Sequence, residues 1–322
     1  MNLHEYVRRD AVGLAELVRK GEVSPRELVD TGFRAIAAVN PKLNAVIDQV
    51  VAHARSQVLE LDAEAPFAGV PFLIKDSLER TGLKATWGVP LAADNVSQRT
   101  HEIARRIDAA GLITIGRTNM SELGLLPCTE AALYGATHNP WDLTRSPGGS
   151  SGGSASAVAA GIVPMAHGED GGGSIRIPAS ACGLWGLKVG RGRFPQETWD
   201  TPDGFISHGV VSRSVRDSAG FVDAIHGARR FDRWQAPPVK GTFTQAAEKD
   251  PKKLHIGVAM RGLMASDLHP DCRAAMEHAT KLLEDLGHHV EQADMELDGD
   301  MFAEHFTVIW AMSTGYFVRA AM

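Results

Sequence analysis

Residues 147–176 read PGGSSGGSASAVAAGIVPMAHGEDGGGSIR, and the rest of the chain is organised around them. Two Gly/Ser clusters, 148–153 and 171–174, put Ser150 and Ser174 24 positions apart. The apolar run 155–165 between them reads as a short helix followed by a short strand. Glycine has no Cβ, so such loops bring backbone N–H groups against a ligand. Serine adds a hydroxyl that serves as nucleophile or proton relay. Ser174 opens a predicted helix, and a helix start offers unpaired N–H groups and the positive end of the dipole, which suits an oxyanion. Gly/Ser tracts are often flexible linkers. These are short and flanked by Ala, Val and Ile that call for burial, which argues against a linker.

Upstream, Gly69-Val70-Pro71-Phe72-Leu73-Ile74-Lys75-Asp76 is an apolar strand that ends in a lysine. A lysine at a buried strand end is unusual; the alternative is a stem that lets its head reach water. A helix is expected over 10–20, with Ala11, Leu14, Leu17 and Val18 on one face and Gly21 ending it. A second starts at Ser24-Pro25-Arg26-Glu27, a capping-box pattern, and breaks at Asn40-Pro41. A third covers about 48–61. Helix 101–110 is followed by strand 112–116. Downstream come helix 215–226 capped by Ser214, strand 254–260, helix 269–286 and strand 290–295. Helices alternate with strands, so the fold class is α/β.

The paired blocks closely resemble those of the amidase signature family of serine hydrolases. GGSSGGSASAVAAG is similar to its Gly/Ser stretch, GEDGGGSIRIPASACGLWGLK to its nucleophile block, and GVPFLIKD to its upstream lysine motif. Three blocks in order make a specific signal. The resemblance implies one amidase-signature domain over 1–322, with a large twisted, mostly parallel mixed sheet flanked by helices on both faces. Within it we expect an N-terminal helical region (1–65), a catalytic core (66–226) and a linker or excursion (227–252). Family members usually run further than residue 322, so the chain is expected to lack its C-terminal part.

The resemblance also implies roles. Ser174 is the acyl-forming nucleophile, Ser150 the bridging hydroxyl on a cis Gly149-Ser150 peptide, and Lys75 the terminal base. Burial disfavours the ammonium, freeing an amine to draw a proton through Ser150. The N–H groups of Gly171, Gly172, Gly173 and Ser174 face the oxyanion. Ser151, Asp170 and Arg176 hold the loops, although Arg176 also reads as a surface residue. The segment 118–122 borders the substrate pocket with Gly124, Leu125 and Leu126, which suggests an apolar acyl group. Glu169 departs from the family, which usually has Thr or Ser there; its carboxylate either alters the charge of the pocket or points outward.

The implied activity is hydrolysis of a carboxamide or related C–N acyl bond in a small amide, anilide or carbamate, with no metal or cofactor. The alternative is an amidotransferase A-type subunit that releases ammonia from glutamine for aminoacyl-tRNA in a complex; a non-catalytic binding relative is a third reading. Gly149-Ser150-Ser151-Gly152-Gly153 also satisfies G-x-S-x-G, but that motif needs a preceding apolar strand, and 141–147 is polar and broken by proline. No P-loop lysine follows the glycines. The thirteen histidines show no metal-ligand spacing, and His288 and His289 point to opposite sides of a strand end. Cys182 reads as a packing cysteine. Hydrophobic content of 44%, 22% charge and a net charge of −6 describe a globular protein and exclude a general nucleic-acid binder. No apolar run reaches membrane-spanning length. The three cysteines are odd in number and scattered, the N-terminus is unlike a signal peptide, and a cytoplasmic protein, as monomer or homodimer, is expected.

Overall fold

The computed structural model describes residues 1–197, 204–262, 267–294 and 296–321. Two compact units divide the chain, Met1–Ala247 and Glu248–Met322.

The first unit begins with helices α1 (Leu3–Val7), α2 (Ala11–Arg19) and α3 (Pro25–Leu43), strand β1 (Val46–Gln49) and helix α4 (Val51–Leu59). Ser24 caps α3 by accepting from Glu27 N–H at 3.2 Å. The return half of the capping box is not made, because the Glu27 carboxylate pairs with the chain's own N-terminal amine. The helix does not break at Asn40-Pro41. Pro41 sits in its last turns, and the Asn40 side chain accepts from Ala45 and Val46 N–H at 2.9 and 2.8 Å, closing the end that Pro41 would open. The predicted helix 48–61 therefore starts later. Its first residues belong to β1, which pairs antiparallel with β3 (Leu112–Thr118), so the N-terminal region is not wholly helical.

Strand β2 (Val70–Lys75) and helix α5 (Glu102–Ala109) precede β3. A small hairpin, β4 (Glu130–Ala131) with β5 (Gly135–Ala136), comes next. Helix α6 (Gly152–Ala159), strand β6 (Met165–Asp170), helix α7 (Arg176–Cys182), strands β7 (Trp185–Gly186) and β8 (Ser207–Ser212) and helices α8 (Val215–Ile225) and α9 (Phe243–Ala247) complete the unit. The strand expected within 155–165 begins only at Met165, since Gly161, at φ +78°, and Pro164 interrupt the run. Helix α7 begins two residues after Ser174.

The sheet order is β1-β3-β2-β6-β8-β7. It is mixed: β2 runs parallel to both β3 and β6 at the centre, and the outer pairs are antiparallel. All six residues of β2 are buried, and period-2 alternation divides them between two layers. Val70, Phe72 and Ile74 join a core with Leu14, Ile103, Ile107 and Phe221, from α2, α5 and α8. Leu73 joins the opposite core with Val29, Ile36, Ala155 and Val158, from α3 and α6. Helices thus cover both faces, as expected for this α/β class.

The 227–252 stretch is mostly tied into this unit. Asp223 of α8 accepts from Phe243 N–H at 2.7 Å and Thr244 N–H at 2.9 Å, fixing the start of α9. The second unit holds β9 (His255–Val258), α10 (Pro270–Asp285), β10 (His289–Gln292) and α11 (Gly299–Ala321), with β9 and β10 paired in parallel. Met295 and Met322, the ends of two expected segments, lie outside the described residues.

Candidate active site

Lys75 ends β2 and Asp170 ends β6, so two parallel neighbours deliver both to one edge of the sheet. Carboxyl ends of parallel strands are where open α/β sheets carry their ligands. Beyond the Leu73–Ala166 pair, the Lys75 N–H turns to the ring of His167, donating to Nδ1 at 3.4 Å. The odd positions of β2 face the α6 layer. The Lys75 amine therefore points at the loop entering α6 and meets Ser150 Oγ at 2.7 Å, with both residues 1% exposed. Burial pushes the amine below the ordinary lysine range, opposed by the Glu169 and Asp170 carboxylates.

The Ser150 loop is pressed into place from several sides. A Cβ on Gly149 would stand 2.6 Å from Cys128 O and 2.7 Å from Leu126 O, so only glycine fits. The Gly149-Ser150 peptide is cis. Helix α6 is held by the approach of Gly153, whose N–H donates to Asn119 O at 3.1 Å. Its Ser154 hydroxyl bridges Thr118 Oγ1 and His167 O, each at 2.7 Å.

Ser174 is nearly buried, and its carbonyl accepts from Ser151 N–H at 3.3 Å, joining the two serine loops. Among the described residues no hydrogen bond joins the Ser150 and Ser174 hydroxyls. The Ser151 hydroxyl lies against the Glu169 backbone, accepting from its N–H at 3.3 Å. Asp170 is fully buried beneath the Ser174 loop and accepts from Gly173 N–H at 2.9 Å, Ile175 N–H at 3.1 Å and Arg176 N–H at 3.3 Å. Arg176 Nε and Nη2 each add a bond at 2.9 Å, so this half-exposed residue braces the loop. Burial alone would raise the Asp170 carboxyl; the Arg176 guanidinium and the Ile175 amide outweigh it and hold the group below the usual carboxylate range. The four N–H groups expected to face an oxyanion reduce to three. Gly173 is engaged by Asp170, while Gly171, Gly172 and Ser174 N–H have no acceptor among the described residues.

Gly124 borders Ser150: a Cβ there would sit 3.5 Å from Ser150 Oγ. Leu125 beside it is half-buried, and Leu126 is exposed. Glu169 points inward. Its Oε1 accepts from the Ser77 hydroxyl at 2.8 Å and its Oε2 stands 3.9 Å from Lys75 Nζ.

A histidine cluster adjoins this carboxylate. His167 Nε2 meets His208 Nδ1 at 3.1 Å, and His101 packs on the His208 ring at 4.7 Å. The donor atoms of His167, Glu169 and His208 all lie within 4.8 Å of one another, a spacing open to a cation. Yet His167 takes the Lys75 N–H on Nδ1 and so donates from Nε2 to His208. With both ring nitrogens committed, the cluster is a hydrogen-bonded one and not a ligand set. In the second unit His255 and His289 lie across the β9–β10 pair with rings 4.6 Å apart, beside Glu291, on an exposed surface. His288 faces the other way, with Nδ1 accepting from Leu254 N–H at 3.3 Å.

The family model described as Amidase matches residues 27–321. The chain belongs to the amidase signature family. It is 42% identical over 300 residues to the 6-aminohexanoate-cyclic-dimer hydrolase of Paenarthrobacter ureafaciens, covering 91% of this chain and 60% of that protein. The solved structure of 6-aminohexanoate cyclic dimer hydrolase complexed with substrate superposes with a TM-score of 0.85 at 39% identity, over 89% of this chain and 61% of that one. That of a bacterial aryl acylamidase of the amidase signature enzymes gives 0.89 at 29% identity, over 97% and 66%. The chain thus spans about 60% of the length of the curated relatives it matches.

Sequence reasoning for this amidase-family chain missed Ser77, His101, His167 and His208. Their positions are scattered: the closing of β2, β6 and β8 brings Ser77, His167 and His208 beside Glu169, and the start of α5 lays His101 on the His208 ring. Asp76, quoted only as part of the lysine motif, forms a fully buried pair with Arg117 and accepts from Thr86 and Gly88 N–H at 3.1 and 3.0 Å. Among the described residues no helix is long and apolar enough to cross a membrane.

Proposed function

We propose that this chain carries the catalytic centre of a hydrolase that cleaves a carboxamide or related C–N acyl bond through a Ser174 acyl-enzyme. The supporting observation is the buried Lys75 amine, 2.7 Å from the Ser150 hydroxyl and partly stripped of its proton affinity by desolvation. As a neutral amine Lys75 accepts from Ser150, and a rotation of the Ser174 hydroxyl closes the second link. Such bonds commonly tighten only when substrate is present. Ser174 Oγ then attacks the carbonyl carbon while its proton passes through Ser150 to Lys75. The tetrahedral oxyanion is met by the N–H groups of Gly171, Gly172 and Ser174. Collapse breaks the C–N bond, the amine leaves with the proton returned by the relay, and water releases the acid by the same path.

Gly124 beside Ser150, followed by the half-buried Leu125, favours an apolar acyl group. The named relatives put a cyclic amide dimer and aryl amides among the substrates to try, with carbamates and glutamine as the contrasting arms. The test is labelling by a fluorophosphonate, in which an Oγ–P bond forms as P–F breaks and fluoride leaves. Wild-type protein is expected to label at Ser174, Ser174→Ala to label nowhere, and Lys75→Ala to label roughly 10²–10⁴-fold more slowly. Labelling at Ser150 reverses the two serine roles, and an undiminished rate in Lys75→Ala removes the base.

A further inference from the structure

We propose that Glu169 is a positioning residue for the base: its carboxylate, tethered by Ser77 and facing the Lys75 amine at 3.9 Å, sets the pH range over which that amine can take a proton. The inference rests on the reading of Lys75 as base and adds the device that tunes it.

A fully desolvated lysine amine gives up its proton readily, but at the same stroke becomes a weak acceptor. A relay needs an intermediate affinity, strong enough to take the serine proton and weak enough to be unprotonated before substrate arrives. One carboxylate near the amine restores part of what burial removes. Glu169 is built for that role. It projects from the penultimate position of β6 toward the end of β2, its side chain is 14% exposed, and the Ser77 hydroxyl at 2.8 Å fixes one oxygen so that the other faces Lys75.

Of the other charged and titratable groups around the amine, Asp170 also raises its proton affinity, but by less than Glu169 does. Just past the end of β2, Asp76 is taken up by Arg117. On β6, Asp170 is turned to Arg176 and the nucleophile loop, with Lys188 Nζ 3.8 Å from its Oδ1. His167 is held well below the imidazole range, by burial first and by its charged neighbours second, and so faces Lys75 uncharged. From β8, His208 Nδ1 lies 3.7 Å from Glu169 Oε1, the oxygen that Ser77 holds and not the one that faces Lys75, and from the start of α5 His101 stacks on His208. Glu169 is therefore the acidic group whose free oxygen is directed at the base.

The experiment is the pH profile of the fluorophosphonate labelling rate at Ser174 in wild type, Glu169→Gln and Glu169→Ser. In wild type the rate rises with pH as Lys75 loses its proton. Two unit charges 3.9 Å apart at an effective dielectric near 20 correspond to about 3 pH units. Partial solvent access reduces this, so both variants should move the midpoint down by about 1–3 pH units. Gln keeps the size and the Ser77 bond, Ser keeps neither, and both remove the charge, so agreement between them identifies charge as the cause. A rate lowered equally at every pH with the midpoint unmoved overturns the proposal and leaves Glu169 a packing residue. Wild-type labelling that shows no rise with pH, or a Lys75→Ala variant that labels like wild type, sinks the underlying assignment of the base instead.

Discussion

Asp170→Asn is the most informative perturbation of the Ser174 loop. The substitution keeps the shape and removes the charge. In the wild type Oδ1 accepts from Gly173 N–H, while Oδ2 takes Ile175 N–H, Arg176 N–H and Arg176 Nε–H. An asparagine can keep its carbonyl on Gly173, but its NH₂ then meets three donors. At about 1–1.5 kcal/mol per lost bond, with the half-exposed Arg176 counted at the low end, the loop is destabilised by about 3–4 kcal/mol. That corresponds to roughly 10²–10³-fold in a local opening equilibrium. The assay is amide hydrogen exchange at Ile175 and Arg176, which should accelerate by that factor at neutral pH while the amides of β2 stay protected. The sign of the pH dependence follows from the depressed Asp170 carboxyl. Its contribution is present above the unfolded carboxylate range and is lost as pH falls through its lower folded value. The gap between wild type and variant should therefore narrow in strong acid. Exchange at Ile175 and Arg176 within threefold of wild type at neutral pH would refute the claim that Asp170 organises this loop.

Gly149→Ala would put a methyl 2.6 Å from Cys128 O, so either the loop carrying Ser150 or the 126–128 segment must move. A cost of about 1–3 kcal/mol in denaturant titration and a Ser174 labelling rate reduced at least tenfold are expected; full labelling would show that the Ser150 position is not critical. Burial pushes the Cys182 thiol up to about 12, whereas Cys272 is exposed. Iodoacetamide at neutral pH should modify Cys272 and leave Cys182 untouched in peptide mass spectrometry, and rapid Cys182 alkylation would contradict its packing role.

The two Gly/Ser loops and the lysine strand were legible because their chemistry is written in contiguous residues. A strand apolar on both faces that ends in lysine has few readings, and a glycine loop before an Ala-rich run has few others. What escaped was set by tertiary contact. Asp48 and Gln49 carry no strand pattern of their own, and β1 exists because Val46 and Gln49 meet Thr118 and Gly116. Pro41 was read as a stop, yet the Asn40 side chain supplies what the proline withholds. Gly173 looked equivalent to its neighbours until the Asp170 carboxyl claimed its amide. Glu169 was visible as an oddity, but its direction depended on Ser77, 92 positions away.

The uniform burial of β2 has an unequal consequence for its two duties. Because all six positions are enclosed, a sideways slip by one place would trade apolar contacts for apolar contacts, and the layers above and below could adapt. The terminal amine would have no such latitude: half a pleat of rotation carries it to the wrong side of the sheet, away from any hydroxyl. Strand length here is therefore fixed by its far end, and an insertion in this segment should idle the centre and also uncouple the buried Asp76–Arg117 pair that follows it.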